Sequence, residues 1–125
     1  MARSELPRSV QDLLEQRLHS AADVDTLLLL HRDYGPWTGA TVARELRIDE
    51  DQATEILVRL QRRGLLRSEA GSFCFHPRDP AVAEAVATLA QLFPKYRVAI
   101  VALIYARPTG PISDFSNAFR LRSED

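Results

Sequence analysis

Residues 38–76 decide the fold, and they read TGATVARELRIDEDQATEILVRLQRRGLLRSEAGSFCFH. Thr38 predicts the start of a short helix over 39–46, because its side chain can accept a hydrogen bond from a free N–H group of the first turn. Asp49 predicts the start of a longer helix, with Gln52 three residues on and apolar residues at helical spacing after it. The stretch therefore begins as two helices joined by a short turn.

A β-hairpin is predicted after the second of these helices. Gly64 ends the helix, since glycine adopts the left-handed conformation of a helix end at little cost. Two short extended runs, 65–68 and 72–76, then flank a turn at 69–71. The order helix, turn, helix, hairpin predicts a mainly α fold with a small β-hairpin.

Two further helices are predicted before this segment. Residues 7–18 place apolar side chains on one helical stripe. Ser20 and Asp23 have the spacing of a capping box and predict the start of a second, largely buried helix. That helix should end at 34–36, where a glycine and a proline follow a tyrosine. The central segment is therefore preceded by a pair of N-terminal helices.

A long helical segment is predicted after the hairpin. Residues 79–80, Asp-Pro, predict its start, and Pro94 is expected to kink it or to divide it in two. Residues 98–105 are apolar on every side, so a helix over them needs cover nearly all round. A short final helix is predicted within 113–121.

The composition is typical of one soluble domain. The chain has 125 residues, 46% of them hydrophobic and 26% charged, with a formal net charge of −1. A single cysteine, Cys74, excludes a disulfide framework, and three separated histidines supply no metal-ligand or catalytic set. The longest apolar run, 98–106, is about half of the ~20 residues that span a bilayer. We expect a cytoplasmic protein that is not an enzyme, holds no metal or cofactor and does not enter a membrane.

The stretch 25–76 resembles the winged helix-turn-helix domain of bacterial transcription regulators, and most closely the MarR type. The resemblance rests on TVARELRI at 41–48, on LVRLQRRGLL at 57–66 and on the short hairpin that ends at Phe75. It implies a winged helix-turn-helix flanked by N-terminal helices and by a long C-terminal helical segment.

The resemblance also implies a domain organisation and a dimer. It makes 1–125 a single winged-helix domain, with the winged helix-turn-helix core at about 25–76 and a C-terminal segment for dimerisation or docking at about 79–121. MarR-type proteins dimerise through terminal helices, and burial of the apolar run in a second subunit would be worth on the order of 10 kcal/mol before association costs. The alternative is a tail that folds back over 98–105 in its own chain. The implied homodimer or docking interface consists of Ile100, Val101, Leu103, Ile104, Phe115 and Phe119.

A DNA-binding function follows from the same resemblance. In such regulators the second helix of the pair enters the major groove with its outward residues. The residues implied to contact DNA or a partner are Glu50, Asp51, Gln52, Thr54, Glu55, Arg59 and Arg62. The residues implied to meet phosphate groups are Arg44, Arg47, Arg63 and Arg67. The implied function is regulation of bacterial gene transcription.

The charge of this stretch departs from that of a strong DNA-binding surface. Residues 44–67 contain six arginines against five acids, and the acids cluster at the start of the second helix. Because phosphate repels carboxylates, weak or partner-dependent DNA binding is expected. The arginines could instead form a solvated face with pairs such as Glu55 and Arg59. The alternative function is a protein–protein adaptor whose acidic helix docks a basic partner such as a transcription factor, without direct DNA binding.

Trp37 has two interpretations. It is expected to be an aromatic residue at the edge of the core, and the alternative is a platform for a ligand or partner. A third functional hypothesis is therefore a ligand-sensing dimer with a small-molecule pocket under Trp37 and the long helices.

Overall fold

A computed structural model describes residues 6–33 and 35–106, and over this part the fold is mainly helical with one small antiparallel hairpin, as predicted. The helices and strands, in chain order, are α1 (Arg8–Gln16), α2 (Ala21–Arg32), α3 (Gly39–Leu46), α4 (Glu50–Arg62), β1 (Leu66–Glu69), β2 (Ser72–Phe75) and α5 (Pro80–Ala106). The predicted final helix at 113–121 lies outside the described residues.

The residues predicted to cap α2, α3 and α4 do form the N-terminal caps of these helices. Ser20 accepts a hydrogen bond from the N–H of Asp23 at 3.1 Å and begins α2. Thr38 accepts from the N–H of Thr41 and begins α3. Asp49 accepts from two N–H groups of the first turn and begins α4. Each of these bonds satisfies a donor that a helix start leaves free, so the local sequence sets where these helices begin.

The core forms where α5 packs on α1 and α2 and where α4 packs on α2, α3 and β1. The predicted stripe of α1 is buried, and the apolar face of α4 packs beneath α2 and the hairpin. Leu60 and Leu65, at the end of α4 and the start of β1, are fully buried and link helix to hairpin. The buried residues of α1 and of the turn after it are Val10, Leu13, Leu14 and Leu18.

The hairpin closes through a two-residue turn. Glu69 pairs with Ser72, and the turn residues Ala70 and Gly71 have φ of +53° and +85°. Two successive positive φ values are the geometry that matches the twist of a tight hairpin. The predicted turn region is therefore confirmed, with Glu69 inside the first strand rather than in the turn.

Trp37 forms a short antiparallel bridge with Phe73 of β2. Its N–H donates to the carbonyl O of Phe73 at 2.8 Å, and the N–H of Phe73 donates back at 2.7 Å. The indole N–H donates to the carbonyl O of Asp33 at 2.8 Å, and the ring is half-buried. Trp37 is therefore a core-edge residue that ties the segment before α3 to β2.

The long helix is kinked, as Pro94 predicts. Tyr96 leaves the helical conformation, with φ −123° and ψ 30°, two residues beyond the proline. After the kink, Ile100 is buried, whereas Val98 is 84% exposed and Tyr105 is 63% exposed. The described residues cover one side of this half-helix, and cover of its other side stays a prediction.

One helix in the described part of the chain, Pro80–Tyr105, is long and apolar enough to cross a membrane by length and composition. An 18-residue stretch of it has a mean hydropathy of 1.3, and 22% of that stretch is buried. Core helices of soluble proteins pass the same test, so this finding alone is weak support for a span. The absence of a membrane segment stays a prediction.

Candidate interface around helix α4

Helices α3 and α4 cross in very close contact. A Cβ atom at Gly39 would lie 1.9 Å from the hydroxyl oxygen of Thr54 and 3.2 Å from its Cβ atom. Any residue other than glycine there would require Thr54 to move, since real Cβ atoms do not approach so closely. The contact fixes the angle between the two helices and turns the hydroxyl of Thr54 toward α3. Thr54 is exposed, and its hydroxyl faces the helix crossing.

The N-terminal end of α4 is exposed and acidic. Glu50, Asp51 and Glu55 are exposed together with the amide side chain of Gln52. None of these three carboxylates, nor that of the cap residue Asp49, forms an ion pair with a residue in the described ranges. Carboxylates stabilise a helix start electrostatically, and here they also cancel the positive potential that would attract a phosphate.

A buried carboxylate holds two of the predicted DNA-facing arginines. Asp23, in the first turn of α2, is fully buried and bonds to Arg59 through one oxygen. Its other oxygen accepts the N–H of His19 at 2.9 Å and lies 3.6 Å from Nη1 of Arg63. The suggested pairing of Arg59 with Glu55 is wrong, because Arg59 points inward to α2.

Three of the predicted phosphate contacts, Arg44, Arg47 and Arg67, are exposed, and so is Arg62, which was predicted to contact DNA or a partner. Arg44 lies in the last turn of α3, Arg62 in the last turn of α4 and Arg67 in β1. Arg47 follows α3 with φ +60°, a left-handed conformation that places it at the turn between the helices. Four arginines therefore surround α4 with side chains open to solvent, and two are engaged in the contact with α2.

The tip of the hairpin carries little positive charge. Residues 68–71 at the hairpin end are exposed, and Ser72 bonds its hydroxyl to the carbonyl O of Glu69 at 2.9 Å. Arg67 lies beside the tip, opposite Cys74 in the register. The tip can therefore offer one cation and hydrogen-bonding groups to a partner.

The structure places the predicted dimer residues on different sides of α5. Ile100 and Ile104 are buried within the chain, and Val101 and Leu103 are half-buried. Phe115 and Phe119 lie outside the described residues. The exposed apolar residues of this half-helix, Val98 and Tyr105, were not predicted as contacts, since a uniformly apolar run carries no sign of which side the fold covers.

A hollow of about 660 Å³ lies between α2, the end of α3 and the kink of α5. Arg97 at its edge bonds to both oxygens of Asp25, at 3.0 and 3.3 Å, and its guanidinium carbon lies 4.9 Å from the ring centre of Phe93. The hydrogen bond to Asp25, with the charge of that carboxylate, raises the pKa of Arg97. Trp37 does not line this hollow, and the pocket under Trp37 and the long helices stays a hypothesis.

Metal-binding groups do not gather in the residues that the structure describes. No set of three or more histidine, cysteine or acidic side chains converges there. Cys74 is half-buried, and His76, two residues further along the chain, is exposed. The chemistry of the site is therefore that of charges and hydrogen bonds.

Comparison with known protein families, characterised proteins and solved structures gives no significant match for this chain.

Proposed function

We propose that the chain is a winged helix-turn-helix regulator of transcription. The observation that carries the proposal is the α3–α4 pair, crossed tightly at Gly39 and Thr54 and followed directly by a two-stranded hairpin. This order leaves the start of α4 exposed beside the hairpin tip, which suits insertion of α4 into a DNA groove with the hairpin as the wing. In this proposal the protein acts in the cytoplasm of a bacterium.

Direct DNA binding is weak or depends on a partner in this proposal. Arg44, Arg47, Arg62 and Arg67 are the exposed cations near α4, whereas Arg59 lies in the contact with Asp23. Acids at the start of α4 oppose these cations. A surface with so little surplus charge neutralises few phosphates, so affinity near the micromolar range of non-specific binding is expected.

We place a homodimer contact on the second half of α5. Val98 and Tyr105 are exposed on the side opposite to the buried Ile100. Val101 and Leu103 widen the apolar strip, and the hydroxyl of Tyr105 accepts the N–H of Ala21 at 3.1 Å, which fixes the end of the strip to α2. A second copy offers the same strip, and a two-fold interface is the commonest way to cover such a face.

Sedimentation velocity with a labelled short DNA duplex tests both parts of this proposal. At about 50 mM salt we expect the protein alone to sediment as a dimer and to shift the duplex at micromolar concentration, with the shift lost at about 200 mM salt. A monomer with no dimer at any concentration contradicts the α5 interface. A duplex whose sedimentation does not change contradicts direct DNA binding.

The acidic end of α4 favours a second candidate function. Glu50, Asp51 and Glu55 stand in solvent without an ion pair to the described residues. Such a patch complements a basic protein surface, and charge complementarity steers association and sets specificity. In this alternative the chain is an adaptor that docks a basic partner such as a transcription factor and does not itself contact DNA.

A further inference from the structure

A second charged surface lies at the opposite end of α4. Arg17 closes α1, Arg63 closes α4 and Arg78 lies in the loop before α5. We call these three residues the arginine cluster. It is separated from the acidic start of α4 by the length of that 13-residue helix, roughly 20 Å at 1.5 Å per residue.

Backbone contacts fix the cluster around Gly64. Arg63 donates from Nη1 to the carbonyl O of Arg17 at 3.0 Å, and Arg17 donates in return to the carbonyl O of Arg63. The N–H of Arg78 donates to the carbonyl O of Gly64 at 3.0 Å. These bonds hold three separate segments of the chain together, so the position of the cluster is set by the fold.

The side chains of Arg17 and Arg78 pass over the same glycine. A Cβ atom at Gly64 would lie 3.5 Å from Cδ of Arg78 and 3.6 Å from Nη1 of Arg17. Gly64 has φ +82°, a conformation that other residues rarely adopt. The glycine thus gives both guanidinium-bearing side chains room to approach one point from two sides.

The acids near the cluster are already engaged. Asp23 is shared by two arginines of α4. Asp79 caps α5 by accepting the N–H of Ala81 at 2.9 Å, and Asp12 pairs with Arg8 at 3.2 Å. A helix cap does not remove the charge of Asp79, so at this end of α4 the four arginines Arg17, Arg59, Arg63 and Arg78 stand against the two carboxylates of Asp23 and Asp79.

Arg78 is the open member of the cluster. It is exposed, and its side chain has no hydrogen bond or ion pair to a residue in 6–33 or 35–106. The donors of Arg63 are already taken by the carbonyl O of Arg17 and by Asp23, so Arg78 offers the planar donors that match the oxygens of phosphate, with Arg17 and Arg63 adding positive charge beside it. We propose that the arginine cluster binds a phosphate group, supplied either by a nucleic-acid backbone or by a free polyphosphate.

The arginine cluster is distinct from the α4 surface of the proposed function. Reversing the charge of one arginine in each place distinguishes binding at the cluster from binding at that surface. Arg78→Glu alters the cluster, and Arg44→Glu changes the net charge equally on the surface of α3. Calorimetry with inorganic tripolyphosphate and fluorescence anisotropy with a short duplex measure binding to the wild type and to both variants. We expect Arg78→Glu to weaken tripolyphosphate binding by about tenfold, and Arg44→Glu by less than about twofold, because charge at the site acts over a short range.

Each outcome bears on the site. Equal loss in both variants, or a wild type that binds neither probe, overturns it. Tripolyphosphate binding that depends on Arg78 supports the site even where the duplex is not bound, which would contradict only direct DNA binding in the proposed function. Competition between the duplex and tripolyphosphate identifies the nucleic-acid backbone as the source of the phosphate. If duplex binding depends on Arg44 and tripolyphosphate binding depends on Arg78, the natural ligand of the cluster is a free polyphosphate.

Discussion

Substitution Asp23→Asn is expected to lower the free energy of unfolding by about 2 to 3 kcal/mol, because it removes the partner of two arginines at the contact of α2 and α4. The loss lies below the largest values known for buried pairs, since Arg59 and Arg63 keep 36% and 23% of their side-chain surface exposed and can turn toward water. The asparagine preserves the size of the side chain and an oxygen for the N–H of His19. The expected loss is therefore electrostatic.

Urea denaturation followed by circular dichroism measures this change. Asp25→Asn is the matched control, because Asp25 lies two residues further along α2 and pairs with Arg97 in a more exposed setting. We expect the control to lose no more than about 1 kcal/mol, as is usual for exposed ion pairs. Equal losses in the two variants would contradict the assignment of Asp23 as the residue that holds α4 against α2.

The double substitution Glu50→Lys and Glu55→Lys is expected to raise the affinity for duplex DNA by at least about tenfold at about 50 mM salt. It replaces two carboxylates by two cations on the exposed start of α4, the surface that enters the groove in the proposed pose. The slope of log affinity against log salt should also steepen, since more counterions are released on binding. Fluorescence anisotropy over a salt series measures both quantities.

A control variant with the same change in net charge separates a local from a general effect. Asp33→Lys with Glu84→Lys alters acids at the end of α2 and on α5, two elements other than α4. We expect this control to raise affinity by less than about threefold. A similar gain in both variants would show that net charge alone governs binding and that the start of α4 is not a DNA-facing surface.

The same α4 variant distinguishes the adaptor function. If the acidic patch docks a basic protein, the lysine variant should lose that partner in a pull-down from the native cell, whereas the Asp33 and Glu84 control should retain it. Retention by both variants would contradict docking through α4.

Local sequence predicted the elements because the interactions that begin and end them are local. The caps at Ser20, Thr38 and Asp49 each bond to an N–H group within three residues, and the apolar spacing of α1 lies within one helix. Pro94 predicted a break in α5 for the same reason, since proline lacks the N–H that an interior position of a helix donates. Such features can be read from a single stretch of sequence.

The contacts that define the site are long-range and were not predictable in this way. Asp23 and Arg59 are 36 positions apart, and nothing in either segment specifies the other. From the sequence, Asp23 could be recognised only as part of the cap of α2. Its place in the first turn of a largely apolar helix is nevertheless a setting in which a carboxylate needs a partner. The pairing of Trp37 with Phe73 and the convergence on Gly64 depend on the packed fold in the same way.

The most direct test of the account is cross-linking in the native cell followed by immunoprecipitation of the protein and sequencing of the attached DNA. A winged-helix regulator, whether it binds DNA alone or with a partner, is expected to enrich discrete sites in front of genes. Recovery of DNA no different from that of a sample lacking the protein would contradict a role in transcription.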